Sequence, residues 1–545
     1  MADTNSPNVR RSIHAMQLEY EGGNKKPMED LVRAWQGIQA LPPSDERSFF
    51  SLGGYHGEPF QYRKAVDELD ATDTYAYWGG YCNHGNILFP TWHRAYLFKL
   101  EQALQSIVPG VTLPYWDETD DYAMQYGVPS ILTQETFTFS DGRTIPNPLQ
   151  SFVLPVALLD GMPGDGRAYE KPAGYQTVRY PLSGLVGTAQ AREQTAQHNA
   201  QYPDHTRNVA LLNENIRAWL RGNKPTHGDP TPSVDGVYEQ FRQCLDAPNY
   251  TVFSNTTSSS AWNQTNSGKV TSLESPHNDI HLAVGGFDVP GQGQSGQILG
   301  ANGDMGENNT AGMDPVFFFH HCNIDRVFWI WQKRHEQTDT LTVLSGFPGT
   351  NANDEQGPTP GVAPGTKLTL ASPLAPFKSA AGDLLTSLDC INIETQLGYT
   401  YAPGSFDDGP ARSRLGDQRV AGGRKLHVSG INRSAYQGSF VLEAYATVDG
   451  ADGSVDKRYL GHNSVLSRYN VARCANCLTH IEVMAHFPLV ALTESEAASA
   501  QFHVELRSRT GTDVIVPSDT ARMRLLPMNA ATGAAPKTAE IRLIP

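Results

Sequence analysis

The sequence predicts two kinds of structure in one chain: a mainly α-helical domain with long loops, then a small all-β sandwich or barrel. Three observations carry that expectation. Two segments, opening at Pro90 and at Asp314-Pro315, repeat large apolar residues at helical spacing. Beyond about residue 400 the pattern becomes short alternating runs separated by turn residues. Between them lies a stretch rich in Pro, Gly, Asp and Arg, the composition of a linker. The expected boundaries are 1–401 for the helical domain, 402–424 for the linker and 425–545 for the β-rich domain.

In the first helix Pro90 is a favoured first-turn residue, and Trp92, Tyr96, Leu100 and Ala103 recur on one face towards Leu104. The second opens on Asp314 as a cap with Pro315 behind it and runs to about Arg334. Phe317, Phe318, Phe319, Val327, Phe328, Trp329 and Trp331 make it apolar on most sides, so it is expected at the centre of the domain. Residues 249–268, 285–312 and 346–366 are polar or rich in Gly and Pro, and read as long loops. In the linker, Pro403-Gly404, Asp407-Asp408-Gly409-Pro410 and Gly422-Gly423 accompany Arg412, Arg414, Arg419 and Arg424, a natural protease target. Strands are expected at 425–428, 439–445, 480–484, 501–506 and 540–544.

Composition narrows the function. A chain of 545 residues exceeds one ordinary core and suggests two to four domains. Hydrophobic residues at 39%, with 22 Tyr, 21 Phe and 8 Trp, exclude a disordered chain. The net charge of −15 repels phosphate backbones and anionic lipid heads, so neither nucleic acid nor a membrane surface is an expected partner. No apolar run approaches the ~20 residues that span a bilayer. The polar start Met1-Ala2-Asp3-Thr4-Asn5-Ser6 lacks a signal-peptide core, and a cytoplasmic location is expected. Six cysteines do not make a disulfide scaffold; Cys82, two residues before a His, and the Cys474-Ala-Asn-Cys477 pair point instead to metal or redox chemistry.

The histidines carry most of the chemistry. His277 and His281 are four apart, hence on one helical face, a spacing that suits two nitrogen ligands to one metal. A zinc-protease pattern would need Glu directly after the first His, and Asn278 stands there. His320-His321 lies inside the apolar helix, where buried ring nitrogens need partners; core histidines bonded to carbonyls are the plain alternative. Asp325 and Asp314 are candidates to orient such an imidazole. The third cluster is His56, Cys82-Asn83-His84 and His93. Together these form two sets of imidazoles that suit copper, zinc, iron or nickel.

Three segments resemble the tyrosinases, the type 3 copper proteins, of the fungal type. They are Ser48 to Gly57 around His56; Tyr81-Cys82-Asn83-His84-Gly85 with Phe89-Pro90-Thr91-Trp92-His93-Arg94; and His277-x-x-x-His281 with Asp314 to Arg326. The resemblance covers about residues 1–400, and the C-terminal region is similar to the lid of latent members. It implies a four-helix bundle holding two copper ions, one on His56, His84 and His93, the other on His277, His281 and His321, with His320 as the neighbour. It implies a thioether between Cys82 and His84. Glu274 and Asn278 match the pair that holds a water accepting the phenolic proton, and Leu282 would line the substrate mouth. Cys474 and Cys477 match cysteines linked to copper delivery, and Tyr399-Thr400-Tyr401 the motif that closes the catalytic domain. The implied activity is O2-dependent ortho-hydroxylation of monophenols and oxidation of o-diphenols to o-quinones, latent under the lid. A catechol oxidase lacking the first step and a haemocyanin-like O2 carrier share the same metal site. Whether the chain works as a monomer or a homo-oligomer is open at this point.

Overall fold

The structure, a computed structural model, describes residues 7–57, 80–159, 170–222, 236–266, 269–287, 302–351, 362, 366–407, 425–433, 436, 438–449, 453–467, 482–508, 511–515 and 540–544. Five helices frame the histidines: α1 (Lys26–Ala40), α2 (Phe49–Gly57), α3 (Phe89–Ile107), α4 (Glu274–Gly285) and α5 (Val316–Arg334). Helix α1 packs on α3, α3 on α5, and α5 on α4.

Helix α5 is buried from Val316 to Gln332, as its all-round apolar sequence requires. The Asp314 carboxylate accepts the Val316 N–H at 3.0 Å, and Pro315 brings no N–H that would need a partner. Trp35 of α1 stacks on Phe319 of α5 with ring centroids 5.4 Å apart, which fixes the spacing of these two helices. Both helices expected from the sequence are present, and His56 sits in the last turn of α2.

The stretch 249–268 is not the expected loop. It contains helices Tyr250–Ser254 and Thr256–Thr265. The Asn249 and Asn255 side chains accept the N–H of Val252 and Ser258, so the Asn-rich composition that reads as loop supplies helix caps instead. In the other two expected loops, residues 288–301, 352–361 and 363–365 lie outside the described residues, as do 408–424 of the linker.

A short strand, Asn8–Arg10, pairs in parallel with Tyr399–Tyr401. It delivers Arg10 into the core, where Nε meets Glu101 at 2.9 Å and the guanidinium lies 3.5 Å from the centroid of the Tyr399 ring.

The C-terminal region is strand-rich, as expected: β1 (Lys425–Asn432), β2 (Phe440–Asp449), β3 (Val455–Val465), β4 (Glu482–Pro488), β5 (Gln501–Ser508), β6 (Gly511–Ile515) and β7 (Glu540–Ile544). They form two antiparallel sheets, ordered β4-β1-β7 and β6-β5-β2-β3. Leu426 and Val428 of the first sheet share one core with Leu442, Ala444, Val504 and Leu506 of the second, which makes a sandwich. Strands β3 and β6 are additions to the five expected runs. Among the described residues no helix is long and apolar enough to cross a membrane.

Candidate metal centre

The six histidines singled out by the sequence come together in one buried nest. His56 ends α2, His84 lies in the loop before α3, and His93 sits in the first turns of α3. Their ring centroids are 5.2 Å (His56–His84), 5.2 Å (His84–His93) and 5.6 Å (His56–His93) apart. His277 and His281 project from one face of α4 towards His321 of α5, with centroids 4.5, 4.7 and 5.4 Å apart. His93 stacks on His321 at 4.6 Å, joining the two sets.

Carbonyl oxygens decide which ring nitrogens face the centre. His93 Nδ1 donates to the Phe89 carbonyl and His281 Nδ1 to the Met305 carbonyl, both at 2.8 Å. His56 Nδ1 faces the Asn308 carbonyl at 3.3 Å. A carbonyl only accepts, so these rings carry their proton on Nδ1 and turn the Nε2 lone pair inward. Nε2 of His277 and of His281 each lies 3.2 Å from Nε2 of His321. An ion held tetrahedrally by imidazoles at 2.0–2.1 Å sets its ligand nitrogens about 3.3 Å apart. Among the described residues, Nε2 of His84 and of His93 is buried without a hydrogen-bond partner. The donor set therefore fits metal ions, which would satisfy the inward Nε2 atoms of His84 and His93 that no protein group among the described residues meets.

Burial holds these rings neutral. It pushes the pKa of His84, His277, His281 and His321 well below the ordinary imidazole value, with the neighbouring imidazoles adding to the effect. It brings His93 and His320 down to about 3. Neutral imidazole is the form that ligates metal.

The nest admits more than one partition. The ring nitrogens of His277, His281, His320 and His321 lie within 4.8 Å of one another, and so do those of His56, His93 and His321. His321 thus stands between the two sets. The Cys82 sulfur lies within the same distance of ring nitrogens of His56 and His84. Asn308 Nδ2 donates to that sulfur at 3.7 Å.

Asp325 and Asp314 do not orient an imidazole. Asp325 accepts from Arg94 Nε and from the hydroxyls of Tyr399 and Tyr401, each at 2.6 Å, and Arg10 Nη1 lies 3.6 Å away. Asp314 takes a two-pronged bond from Arg179 at 2.8 and 2.7 Å. Two buried guanidinium groups outbid any imidazole for Asp325, and one does so for Asp314. Among the described residues, the carboxylate that reaches a histidine of the nest is Glu118, fully buried, with Oε1 2.5 Å from His320 Nδ1 and Oε2 accepting from Asn323 Nδ2 at 3.1 Å. Burial raises the Glu118 pKa well above the carboxylate range. Glu118, Met305 and Asn308 are the residues sequence reasoning missed.

Glu274, in the first turn of α4, is buried. Oε1 accepts the Gly85 N–H at 2.8 Å, and Oε2 accepts the N–H and hydroxyl of Thr256 at 2.8 and 3.0 Å. Burial raises its pKa, against those hydrogen bonds and the charge of Arg433. Asn278 Oδ1 accepts from His277 Nδ1 at 2.9 Å. Glu274, Asn278 and His84 line one side of a cavity of about 80 Å³, and Arg433, Leu466 and Met484 of the C-terminal region line the other. Asp279 of α4 accepts from Gln240 Nε2 at 2.6 Å and from His462 Nε2 of β3 at 2.9 Å, a second contact between the two regions. Leu282 is completely buried in the main core. Cys474 and Cys477 lie outside the described residues.

Residues 46–334 match the family model of the common central domain of tyrosinase. A tyrosinase of Hahella sp. (strain CCB-MM4), HcTyr2, is 59% identical over 518 residues, covering 93% of each chain. The tyrosinase of Aspergillus oryzae is 42% identical over 511 residues, covering 89% of this chain and 90% of that one. The solved structure of a tyrosinase from Burkholderia thailandensis at low pH superposes with a TM-score of 0.84 at 63% identity, covering 93% of this chain and 96% of that one. A recombinant mushroom tyrosinase shares the fold at 20% identity, with a TM-score of 0.59 and 95% and 96% coverage. With its histidines gathered into one nest, its central segment matching that domain and close relatives spanning nearly its whole length, the chain belongs to the tyrosinase family.

Proposed function

We propose that this copper-dependent oxidoreductase hydroxylates monophenols ortho to the hydroxyl and oxidises o-diphenols to o-quinones, with one copper on His56, His84 and His93 and the other on His277, His281 and His321. The observation that carries the reading is the single nest of neutral imidazoles with inward Nε2 lone pairs. When bound, the copper pair supplies the redox chemistry between O2 and the phenol.

The chain's own residues prepare the site. Phe89, Met305 and Asn308 fix ring rotation through backbone carbonyls. Glu118 anchors Nδ1 of His320, and His321, whose Nε2 lies 3.2 Å from Nε2 of both His277 and His281, serves as the ligand from α5. Glu274 and Asn278 face the cavity beside His84, and that is where the phenolic proton leaves. A carboxylate whose pKa burial raises is better matched to a phenol at neutral pH than an ordinary one. The cavity exceeds the roughly 10–15 Å³ that a water needs, and falls well short of the roughly 300 Å³ of a small-molecule pocket. The C-terminal wall accounts for that shortfall, so the full-length chain is latent. Leu282 borders the substrate mouth once that wall moves. Cys82 is joined to His84 by a thioether, and Cys474 and Cys477 pass copper to the site.

The test combines metal analysis with two assays. The copper-loaded chain is expected to hold two coppers and to turn over a monophenol and a catechol given a trace of reductant, faster after trimming near residue 410. A chain holding one copper sinks the ligand assignment, catechol turnover alone leaves a catechol oxidase, and an unchanged rate after trimming sinks latency. A cross-linked 82–84 peptide in the mass spectrum reports the thioether.

A further inference from the structure

Residues 304–310 form a strap behind the nest, and it touches both halves of it. The Met305 carbonyl holds His281 Nδ1 at 2.8 Å, and the Asn308 carbonyl faces His56 Nδ1 at 3.3 Å. The strap is wedged between the ends of α2 and α4. A Cβ on Gly57, directly after His56, would meet the Asn308 oxygen at 1.7 Å. A Cβ on Gly285, one turn beyond His281, would meet the Gly306 nitrogen at 1.9 Å.

The C-terminal region grips the same strap from outside. Ser439 Oγ donates to the Gly306 carbonyl at 2.8 Å, and the Asn308 N–H donates to the Ser467 carbonyl at 3.2 Å. The Ser467 N–H donates back to Ser439 Oγ at 2.8 Å, so the two serines act as one clamp. Both are buried. The grip falls on the peptide units 306–307 and 307–308, the two that lie between the carbonyls holding the rings. A carbonyl flanked by hydrogen-bonded peptides cannot swing away from its imidazole without breaking bonds that are sealed from water.

We infer that Ser439 and Ser467 are positioning residues of the metal centre, acting through the strap, so that the C-terminal sandwich sets the aim of one imidazole in each copper site as well as walling the cavity. The inference rests on the dicopper reading above. The clamp also explains why the contact is made to backbone atoms of the strap: backbone is what orients the rings.

The test uses the full-length, copper-loaded chain and the variants Ser439→Ala, Ser439→Cys and Ser439→Thr. Copper release to a chelator is followed in time, and the ligand-field bands of the cobalt-substituted protein are recorded. Losing a residue that itself holds a ligand imidazole weakens metal binding about 10–100-fold. The clamp acts one bond further out, so Ser439→Ala is expected to release copper roughly 3–10-fold faster with shifted cobalt bands. Ser439→Cys, equal in size with a weak donor, falls between, and Ser439→Thr restores both readouts. Release at the wild-type rate from Ser439→Ala and Ser439→Cys overturns the inference, as does faster release that Ser439→Thr fails to restore. If Ser439→Ala does not fold, the Cys and Thr variants decide. A wild-type chain that binds fewer than two coppers instead overturns the reading beneath it.

Discussion

Replacing Asp325 with Asn removes one negative charge from a fully buried cluster while leaving its shape. Asp325 accepts from Arg94 through one oxygen and from Tyr399 and Tyr401 through the other. In the variant the amide oxygen still accepts from Arg94, and the tyrosine hydroxyls can reverse to accept from the amide NH2. The charge is what disappears. Among the described residues, Glu101 is then the one carboxylate left to balance Arg10 and Arg94. Removing one partner of a buried ion pair costs about 3–5 kcal/mol. Unfolding entropy of about 2.1 cal/mol/K per residue gives roughly 1.1 kcal/mol/K for this chain, so the thermal midpoint should fall by about 3–4 °C. Burial alone would raise the Asp325 pKa, but Arg94 and Arg10 outweigh it and hold it below the ordinary carboxylate value. Its stabilisation is therefore present above about pH 3.9 and is lost as pH falls through the lower folded value. Calorimetry of both proteins between neutral and acid pH measures the midpoint and that acid-side step. A midpoint within about 1 °C of wild type at neutral pH would falsify the charge argument and leave hydrogen bonding as the whole contribution.

Other consequences are as direct. The metal-free chain should lose stability as pH falls below about 6.5, because burial depresses the nest imidazoles (His93 to about 3) and the unfolded chain then binds more protons; urea midpoints across pH 4–7 check this, and a flat profile refutes it. Gly285→Ala places a methyl against backbone of the strap that cannot rotate away, and should cost upwards of about 3 kcal/mol together with bound copper, read by calorimetry and metal analysis. Glu118→Gln should keep copper, since the Asn323 amide can turn to accept from the new NH2, whereas Glu118→Leu strands His320 Nδ1 and should lower copper affinity about tenfold or more; equal copper retention by both variants counts against a positioning role. Glu274→Gln must leave the N–H of Gly85 or Thr256 without its acceptor, and should lower monophenol turnover more than catechol turnover; an equal loss of both points to damage at the His84 loop instead.

The histidines of the nest were legible because imidazole is scarce and its positions are regular: a four-residue spacing puts His277 and His281 on one face, and a His pair inside an apolar helix demands a reason. The groups that hold those rings were not. Met305 and Asn308 act through carbonyls, which every residue carries, so no residue type marks them. Glu118 lies 202 residues from His320 in sequence; its one local signal is an acidic pair, Asp117-Glu118, directly after the apolar run that ends at Trp116. Asp325 was misread because one-turn spacing from His321 is compatible with several orientations, and Arg10, 315 positions earlier in the chain, took part in deciding the one adopted. Helices at 250–265 were hidden by the Asn residues that cap them.

The parallel pairing of Asn8–Arg10 with Tyr399–Tyr401 sets a timetable for biosynthesis. Arg10 and Tyr401 are 391 positions apart. At about 5–20 residues per second, a ribosome needs roughly 20–80 s to deliver the second strand after the first has emerged. The arginine waits through that interval without its strand partner, and the helix bearing His321, which ends at Arg334, joins it only for the last stretch before the tyrosines that brace Asp325 are made. The helical region thus reaches its finished interior only when nearly three-quarters of the 545 residues have been joined, and a chaperone or an early metal ion would meet it in that unfinished state.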